Sequence, residues 1–489
     1  MRRYKVFFKN GLIILITSIL MRSIGMFFNI YISNKIGSEA VGLFTLITSV
    51  YMFSVTVASS GIQFACNKLI SSEHNIYNYK NILRDSLKLS GFFGISAFFI
   101  LFLLSDYICI TVLNNKLPSY LIKLMAISLP FISMSASFTG YFTGLRQVAK
   151  NSFARIFEQF IKMAIIFLLL TYILPSGIEF ACLSLILGEI ISEISSFLYN
   201  VFTYYIDSKK ILCRGNNSYI GKLIKIVSPL SITSYLKSGL SSFKQFLIPQ
   251  QLALSNLSYD SAISIFGKIQ GMAMPLLLFP EVITSSFSSL LITEFSYYNS
   301  FNKKKEMKFI ISKIFKVSFI FVIAISGIFF FYGNDIGVLV YNDASIGKYI
   351  QLLSPLVIVM YLDSIIDNIL KGLDKQTSVM LCNIADSIIT IISIFILVPK
   401  FGILGYFISL YISEIFNFTV SITLLYKTIN FKLNMYSLFI IPIISCLLAY
   451  YISFYVHNKN MWFGFIFFVV MYILFLFGFS YTKNESIKI

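Results

Sequence analysis

The stretches Ile16-Thr17-Ser18-Ile19-Leu20-Met21-Arg22 and Ile232-Thr233-Ser234-Tyr235-Leu236-Lys237 decide how this chain is read. Each carries a cation inside a long apolar segment, and the two cations are 215 positions apart (237 minus 22). The correspondence continues outward. Pro130 followed by Thr143-Gly144-Leu145 matches Pro355 followed by Lys371-Gly372-Leu373. Glu158 falls opposite Asp386, and Ile191-Ser192-Glu193-Ile194 opposite Ile412-Ser413-Glu414-Ile415. A charge near the bilayer centre costs at least about 2.5–3.5 kcal/mol on insertion scales. Two half-chains bearing that cost at one depth imply two lobes sharing a site, as in many transporters.

Composition restricts the class further. The 489 residues are 57% hydrophobic and 17% aromatic, with mean hydropathy +0.82 and only 12% charged residues, where soluble domains carry about 25%. Runs of about 20 apolar residues, each able to cross a hydrocarbon core, recur along the whole chain. Fourteen are expected, at about 11–32, 40–66, 89–113, 119–143, 153–174, 178–204, 224–250, 262–292, 310–333, 349–371, 379–398, 402–427, 435–456 and 461–481. The fold class is therefore all-α and polytopic.

Of the 39 basic residues, 27 fall on the side of the N-terminus, six on the other side and six inside spans. Lys303, Lys304, Lys305, Lys308, Lys313 and Lys316 form the densest cluster of the first group. The positive-inside rule then puts both termini in the cytoplasm of a bacterial cell membrane. The net charge of +18 is accounted for by topology and attraction to anionic lipid, so no nucleic-acid partner is expected. Arg2-Arg3 before an apolar run resembles a secretory leader, but Arg22 interrupts the run and no small-residue cleavage site follows; the segment is read as an uncleaved first helix. Six scattered cysteines and two histidines, His74 and His457, give neither metal spacing nor a disulfide framework. Two histidines argue against histidine-based catalysis. No enzymatic activity, no metal and no cofactor are expected beyond a coupling ion, H⁺ or Na⁺.

The repeat divides the chain into a first six-span lobe, 1–206, a basic linker, 207–221, a second six-span lobe, 222–428, and two further spans with a tail, 429–489. An even span count per lobe makes the repeat parallel, with the substrate path expected at the lobe interface. A monomer is expected.

Gly271-Met272-Ala273-Met274-Pro275-Leu276, continuing through Pro280 and Thr284 to the run Ser285 to Ser289, resembles the eighth helix of the stage V sporulation protein B family. Arg22-x-x-Gly25 and Ile36-Gly37-Ser38-Glu39-Ala40-Val41-Gly42-Leu43 resemble that family's first helix and following loop, and Ser60-Gly61 with Asn67-Lys68-Leu69-Ile70 the end of its second. The likeness covers essentially the whole chain. Gln63 and Ile292-Thr293 stand where the family has proline, and Glu281 is an acid the family does not place there. The family sits in the multidrug/oligosaccharidyl-lipid/polysaccharide exporter superfamily. The resemblance implies a flippase that carries an undecaprenyl-pyrophosphate-linked saccharide, such as a cell-wall or spore-cortex precursor, from the inner to the outer leaflet.

Charges inside the spans form two groups. Arg22, Lys237, Lys244 and Lys268 suit a pyrophosphate, Arg through paired donors and Lys as a point charge; the competing reading is a buried ion pair or snorkelling. Glu158, Glu189, Glu193, Asp363, Asp367, Asp386 and Glu414 are the acids. Arg155, Glu158 and Lys162 have the spacing for local pairing, so the first-lobe acids read as structural. Glu281, Asp363, Asp367 and Asp386 are the candidates for ion coupling or gating, with Glu281 also placed to pair with Lys237 or Lys268. Gly140/Gly144 and Gly267/Gly271 have the spacing of close helix contacts. Two other classes compete with this reading. A cation-coupled drug antiporter of the same superfamily would favour acids in its cavity, and a membrane glycosyltransferase would need a large extracytoplasmic loop, which this sequence lacks.

Overall fold

The computed structural model describes residues 2–73, 75–173, 177–208, 218–301, 303–431, 436–457 and 461–481. Most of the expected basic linker, Lys209, Lys210 and Arg214 included, lies outside the described residues, as do His74, Cys213, Lys432, Lys459, Lys483 and Lys488. The described residues contain helices and no strand.

The first helix, α1, runs Arg2–Ser59 and is broken at Gly37, whose φ of 79° and ψ of 167° leave helical space. Positive φ is open to glycine because it has no Cβ. At 1.5 Å per residue, α1 is roughly 87 Å long, far beyond a core of about 30 Å, so its two arms are the first two crossings. Phe28, Tyr31, Ile32 and Ile36 before the break and Phe44 after it pack on one cluster, Ile166, Leu170, Ala181 and Leu185. There follow α2 (Ile62–Ser72), α3 (Tyr79–Leu113), α4 (Tyr120–Ala126), α5 (Leu129–Gly144), α6 (Val148–Ile173), α7 (Ile178–Ser208) and α8 (Ile220–Ala253).

The expected eighth span, 262–292, is not one helix. It is α9 (Tyr259–Phe266), a wide π turn (Gly267–Ala273), α10 (Met274–Leu278) and α11 (Glu281–Ser300). Pro275 and Pro280 each remove an N–H and crowd the preceding turn, which interrupts a helix at those points. The remaining elements are α12 (Lys304–Tyr341), α13 (Ala344–Gly372), α14 (Gln376–Phe401), α15 (Ile403–Ile429), α16 (Ile441–His457) and α17 (Met461–Tyr481).

Among the described residues eleven helical segments are long and apolar enough to cross a membrane. The first of these holds both arms of α1, while α6 and α8 are not among the eleven. Phe27, Leu103 and Tyr172 are 71%, 74% and 80% exposed, an apolar exterior that only lipid would cover.

The chain forms two compact units, Met1–Gly271 and Met272–Ile489. Packing thus groups α8 and α9 with α1–α7, while the repeat read from sequence divides at 206/222. The second unit is built on a core of Phe315, Phe319, Tyr332, Ile366, Phe468 and Tyr472. The two C-terminal helices pack there, with Tyr332 and Ser453 hydroxyls 2.6 Å apart and the Tyr472 hydroxyl donating to the Ile320 carbonyl at 2.8 Å.

Candidate functional site: a cationic face on α8

α8 lies along the second arm of α1. Ser231 donates to the Ser60 carbonyl at 3.0 Å, Tyr235 to Val57 at 3.1 Å and Ser242 to Ser49 at 2.8 Å, and Thr56 donates to the Ser238 hydroxyl at 3.1 Å. These four α8 positions repeat at helical spacing and define one face. At 3.6 residues per turn, Lys237 and Lys244 share another face, roughly 140° away and about 10 Å apart along the axis. Lys237 is exposed and Lys244 half-buried. Among the described residues no carboxylate lies within ion-pair distance of either. Arg22 is exposed on the first arm of α1, and Lys268 is half-buried inside the π turn. All four candidate cations belong to the unit Met1–Gly271.

Both ends of α8 are tied to α3. At one end the buried Asp85 carboxylate accepts the Tyr219 N–H at 2.8 Å, one residue before α8 begins, and the Tyr219 hydroxyl donates to Glu73 at 3.0 Å. Burial, and then the Glu73 carboxylate, push the Tyr219 phenol above its usual range. At the other end Gln250 donates to the Thr111 carbonyl at 2.9 Å, and Tyr259, just beyond α8, to Val112 at 2.8 Å. Asp85, Tyr219 and Glu73 were not singled out from sequence. An acid two turns into a helix that starts at Tyr79 reads as an ordinary interfacial charge, and its partner is 134 residues away.

The two close-contact glycine pairs are used. A Cβ on Gly267 would collide with the Ser38 carbonyl and Gly42, and one on Gly271 with Val41. Gly140 meets the Gln63 backbone and Gly144 meets Ile70.

The acids divide as well. In the first unit Lys162 on α6 forms an ion pair with Glu189 on α7, with Glu158 and Glu193 beside it. In the second unit are Glu281, Asp363, Asp367 and Asp386. Asp386 on α14 accepts from Ser413 on α15, as Glu158 on α6 lies beside Ser196 on α7, so each half places an acid of its fifth span against a serine of its sixth. Glu281 opens α11, half-buried, and Asp367 is half-buried on α13. Asp363 is the most enclosed, 7% exposed, with one oxygen accepting from Asn417 Nδ2 at 2.7 Å. Its other oxygen and Asn417 Oδ1 are buried without a hydrogen-bond partner, and the Ser421 hydroxyl is buried beside the carboxylate. Ser421 is one helical turn beyond Asn417 on α15. Buried polar atoms nearly always have partners, and a carboxylate with a neighbouring amide and a hydroxyl supplies the kind of oxygen donors a hard cation takes.

Helices crossing a membrane, with cations grouped in one unit and an oxygen-rich buried carboxylate in the other, define a multi-pass membrane protein of the transporter type. The polysaccharide biosynthesis protein family matches residues 7–256, and the chain belongs to that family. It is 22% identical over 415 residues to the stage V sporulation protein B of Bacillus subtilis, covering 82% of this chain and 80% of that one. It is 21% identical over 296 residues to the sporulation protein YkvU of the same organism, covering 58% of this chain and 65% of that one. Among solved structures, the lipid II flippase MurJ in an inward closed conformation superposes with a TM-score of 0.73 at 14% identity, over 96% of this chain and 98% of that one. An inward-facing multidrug resistance MATE family transporter of the MOP superfamily superposes at 0.67 and 12% identity, over 85% and 98%. The architecture is thus that of the MOP-type transporters.

Proposed function

We propose that this protein is an alternating-access flippase that moves an undecaprenyl-pyrophosphate-linked saccharide from the cytoplasmic to the outer leaflet, as a monomer with both termini inside. The observation that carries the reading is the Lys237/Lys244 face of α8, two membrane-depth cations with no carboxylate partner among the described residues. A charge left unpaired at that depth costs free energy, and a pyrophosphate would offset that cost. Arg22 and Lys268 are assigned to the same anion. The same cations disfavour a cationic drug. The relatives named for sporulation and the likeness to a lipid II flippase support this direction, and a cell-wall or spore-cortex precursor is the saccharide class they favour.

Coupling is assigned to Asp363, Asn417 and Ser421, which would take Na⁺ or a proton, with Asp367 and Asp386 close enough to act on that carboxylate and Glu281 elsewhere in the same unit. The enclosed acid and the likeness to a MATE transporter support a second reading, a cation-coupled drug antiporter. Flipping of a fluorescent polyprenyl-pyrophosphate saccharide in proteoliposomes separates the two. Arg22→Ala and Lys237→Ala should each abolish flipping at normal abundance, and Arg22→Lys should retain part of it because charge survives without the planar fork. Full activity in both alanine variants, or Na⁺-driven export of a cationic dye with no flipping, would overturn the flippase reading.

A further inference from the structure

A groove of about 460 Å³ opens between α11 and α12, backed by α13, entirely within the second unit. Its size is that of a small-ligand site. Ile283, Leu291, Ile314, Val317, Phe321 and Ile365 supply the walls, and Lys313 closes one end. Phe309, Lys313, Val317 and Phe321 follow at four-residue spacing and so form one stripe of α12. Val317, 62% exposed, stands at its open rim. From Lys313 to Phe321 the groove extends roughly 12 Å along the axis.

The interior offers little to water. Thr284 and Ser288 reach the groove but donate to the Glu281 and Ser285 carbonyls of their own helix, at 3.0 and 3.1 Å, and Ser288 also accepts from Asn368 at 2.7 Å. Ser318 also lines the groove, but the rest of the wall is apolar; a cavity so poor in polar partners holds water badly, and in a bilayer a hydrocarbon chain is its natural filling. Lys313 decides which chain. It is exposed, and among the described residues no carboxylate lies within ion-pair distance of it. Lys313 and Lys316 are the last charges before the uncharged run Val317–Gly333, which places Lys313 at headgroup depth, beside Lys303, Lys304, Lys305 and Lys308.

We propose that this groove holds one acyl chain of an anionic phospholipid of the cytoplasmic leaflet, with its phosphate on Lys313. The site lies on the second unit, apart from the cations of α8, and does not depend on what the protein transports. Its charge matches an anionic headgroup, and a zwitterionic lipid gains less from an unpaired lysine.

The test uses the full chain in nanodiscs of phosphatidylcholine with added brominated phosphatidylglycerol or brominated phosphatidylcholine. Trp462, the one native tryptophan, is replaced by Phe, and Val317→Trp on the rim reports bromine contact. Quenching should half-saturate at about a fivefold lower mole fraction of phosphatidylglycerol than of phosphatidylcholine, the ratio expected of one interfacial lysine. Lys313→Ala should erase the preference and Lys313→Arg keep it. Native mass spectrometry of the chain without the inserted tryptophan should find one phosphatidylglycerol retained, and lost in Lys313→Ala. Equal quenching by both lipids, or an unchanged preference in Lys313→Ala, overturns the proposal. So does displacement of the brominated lipid by stoichiometric polyprenyl phosphate, which would give the groove to an isoprenoid instead.

Discussion

Asp85→Ala should loosen the start of α8 while leaving the rest of the first unit intact. The Asp85 carboxylate is 1% exposed and accepts the Tyr219 N–H at 2.8 Å. A hydrogen bond to a charged group contributes about 1.5–3 kcal/mol, and an abandoned buried donor costs about 1–3 kcal/mol. These overlap, because both count the same N–H, and Tyr219 is itself 6% exposed. A net loss of about 2–3 kcal/mol follows, and local opening of the α8 start should become roughly 30- to 150-fold more frequent. Amide hydrogen exchange by mass spectrometry on the peptide spanning Tyr219 to Leu223 reads this directly. Asp85→Asn keeps an acceptor oxygen and should recover about half the protection. Tyr219→Phe loses only the phenol–Glu73 bond, about 1 kcal/mol. Because the folded-state phenol is shifted upward, its contribution is present below about pH 10 and lost as pH rises through the folded value; Tyr219→Phe should remove that alkaline loss. Unchanged exchange in Asp85→Ala, or an increase spread evenly over the chain, would refute the reasoning.

Lys162→Met removes the ion-pair partner of Glu189 and a cation beside Glu158 and Glu193. A broken buried pair costs about 3–5 kcal/mol, and Lys162, 28% exposed on its side chain, should lose about 2 kcal/mol of this kind, seen as a lower detergent melting temperature that Lys162→Arg restores. Gly267→Ala forces a Cβ into the Ser38 carbonyl and Gly42 and should cost about 1–3 kcal/mol; a melting temperature equal to the parent's would remove the close-crossing argument. Asp363→Asn should abolish stabilisation by Na⁺ in a thermal-shift titration against choline, or, if protons couple, flatten the pH dependence of transport. Persistence of both effects in the variant would dismiss this carboxylate.

The all-α class and most span positions were legible because each rests on local sequence, the length of an apolar run; the break in the expected eighth span was not, because run length alone does not show where a proline divides it. The close contacts at Gly267/Gly271 and Gly140/Gly144 were legible too, since spacing on one helix predicts a small-residue face. What the sequence withheld was pairing across distance. Lys162 has the spacing to pair with Glu158 on its own helix, and its ion pair is with Glu189 on α7, because spacing along one helix does not show which side chains of the next helix face it. Ser421 and Asn417 carry no charge and gave no signal until they stood beside Asp363. The grouping of α8 with the first unit was also hidden. It depends on serine hydroxyls donating to α1 carbonyls, and serines at 231, 238 and 242 look alike whether they face a helix or lipid.

That grouping has a mechanical consequence. α8 carries Lys237 and Lys244, and it is tied to α3 at both ends and to α1 along its length. Pro229 and Pro249 lie inside it and would otherwise permit bending, yet both fall between hydrogen-bonded points: Tyr219 and Ser231 flank the first, Ser242 and Tyr259 the second. Motions that open a transporter are carried by hinges and shear planes where contacts are few. The α1–α8 seam, with four side-chain hydrogen bonds in the span from Ser231 to Ser242, is a poor hinge. The cations should therefore keep their setting on the first unit through the transport cycle. A covalent tie across the seam tests this. Thr56→Cys with Ser238→Cys, in a background whose native cysteines are replaced by serine or alanine, joins positions whose hydroxyls are 3.1 Å apart. Oxidation of that pair in proteoliposomes should leave flipping within about twofold of the reduced protein, since it fixes what packing already holds. Loss of flipping on oxidation, restored by reductant, would show that α8 slides on α1 during transport and that the cation face is a moving part.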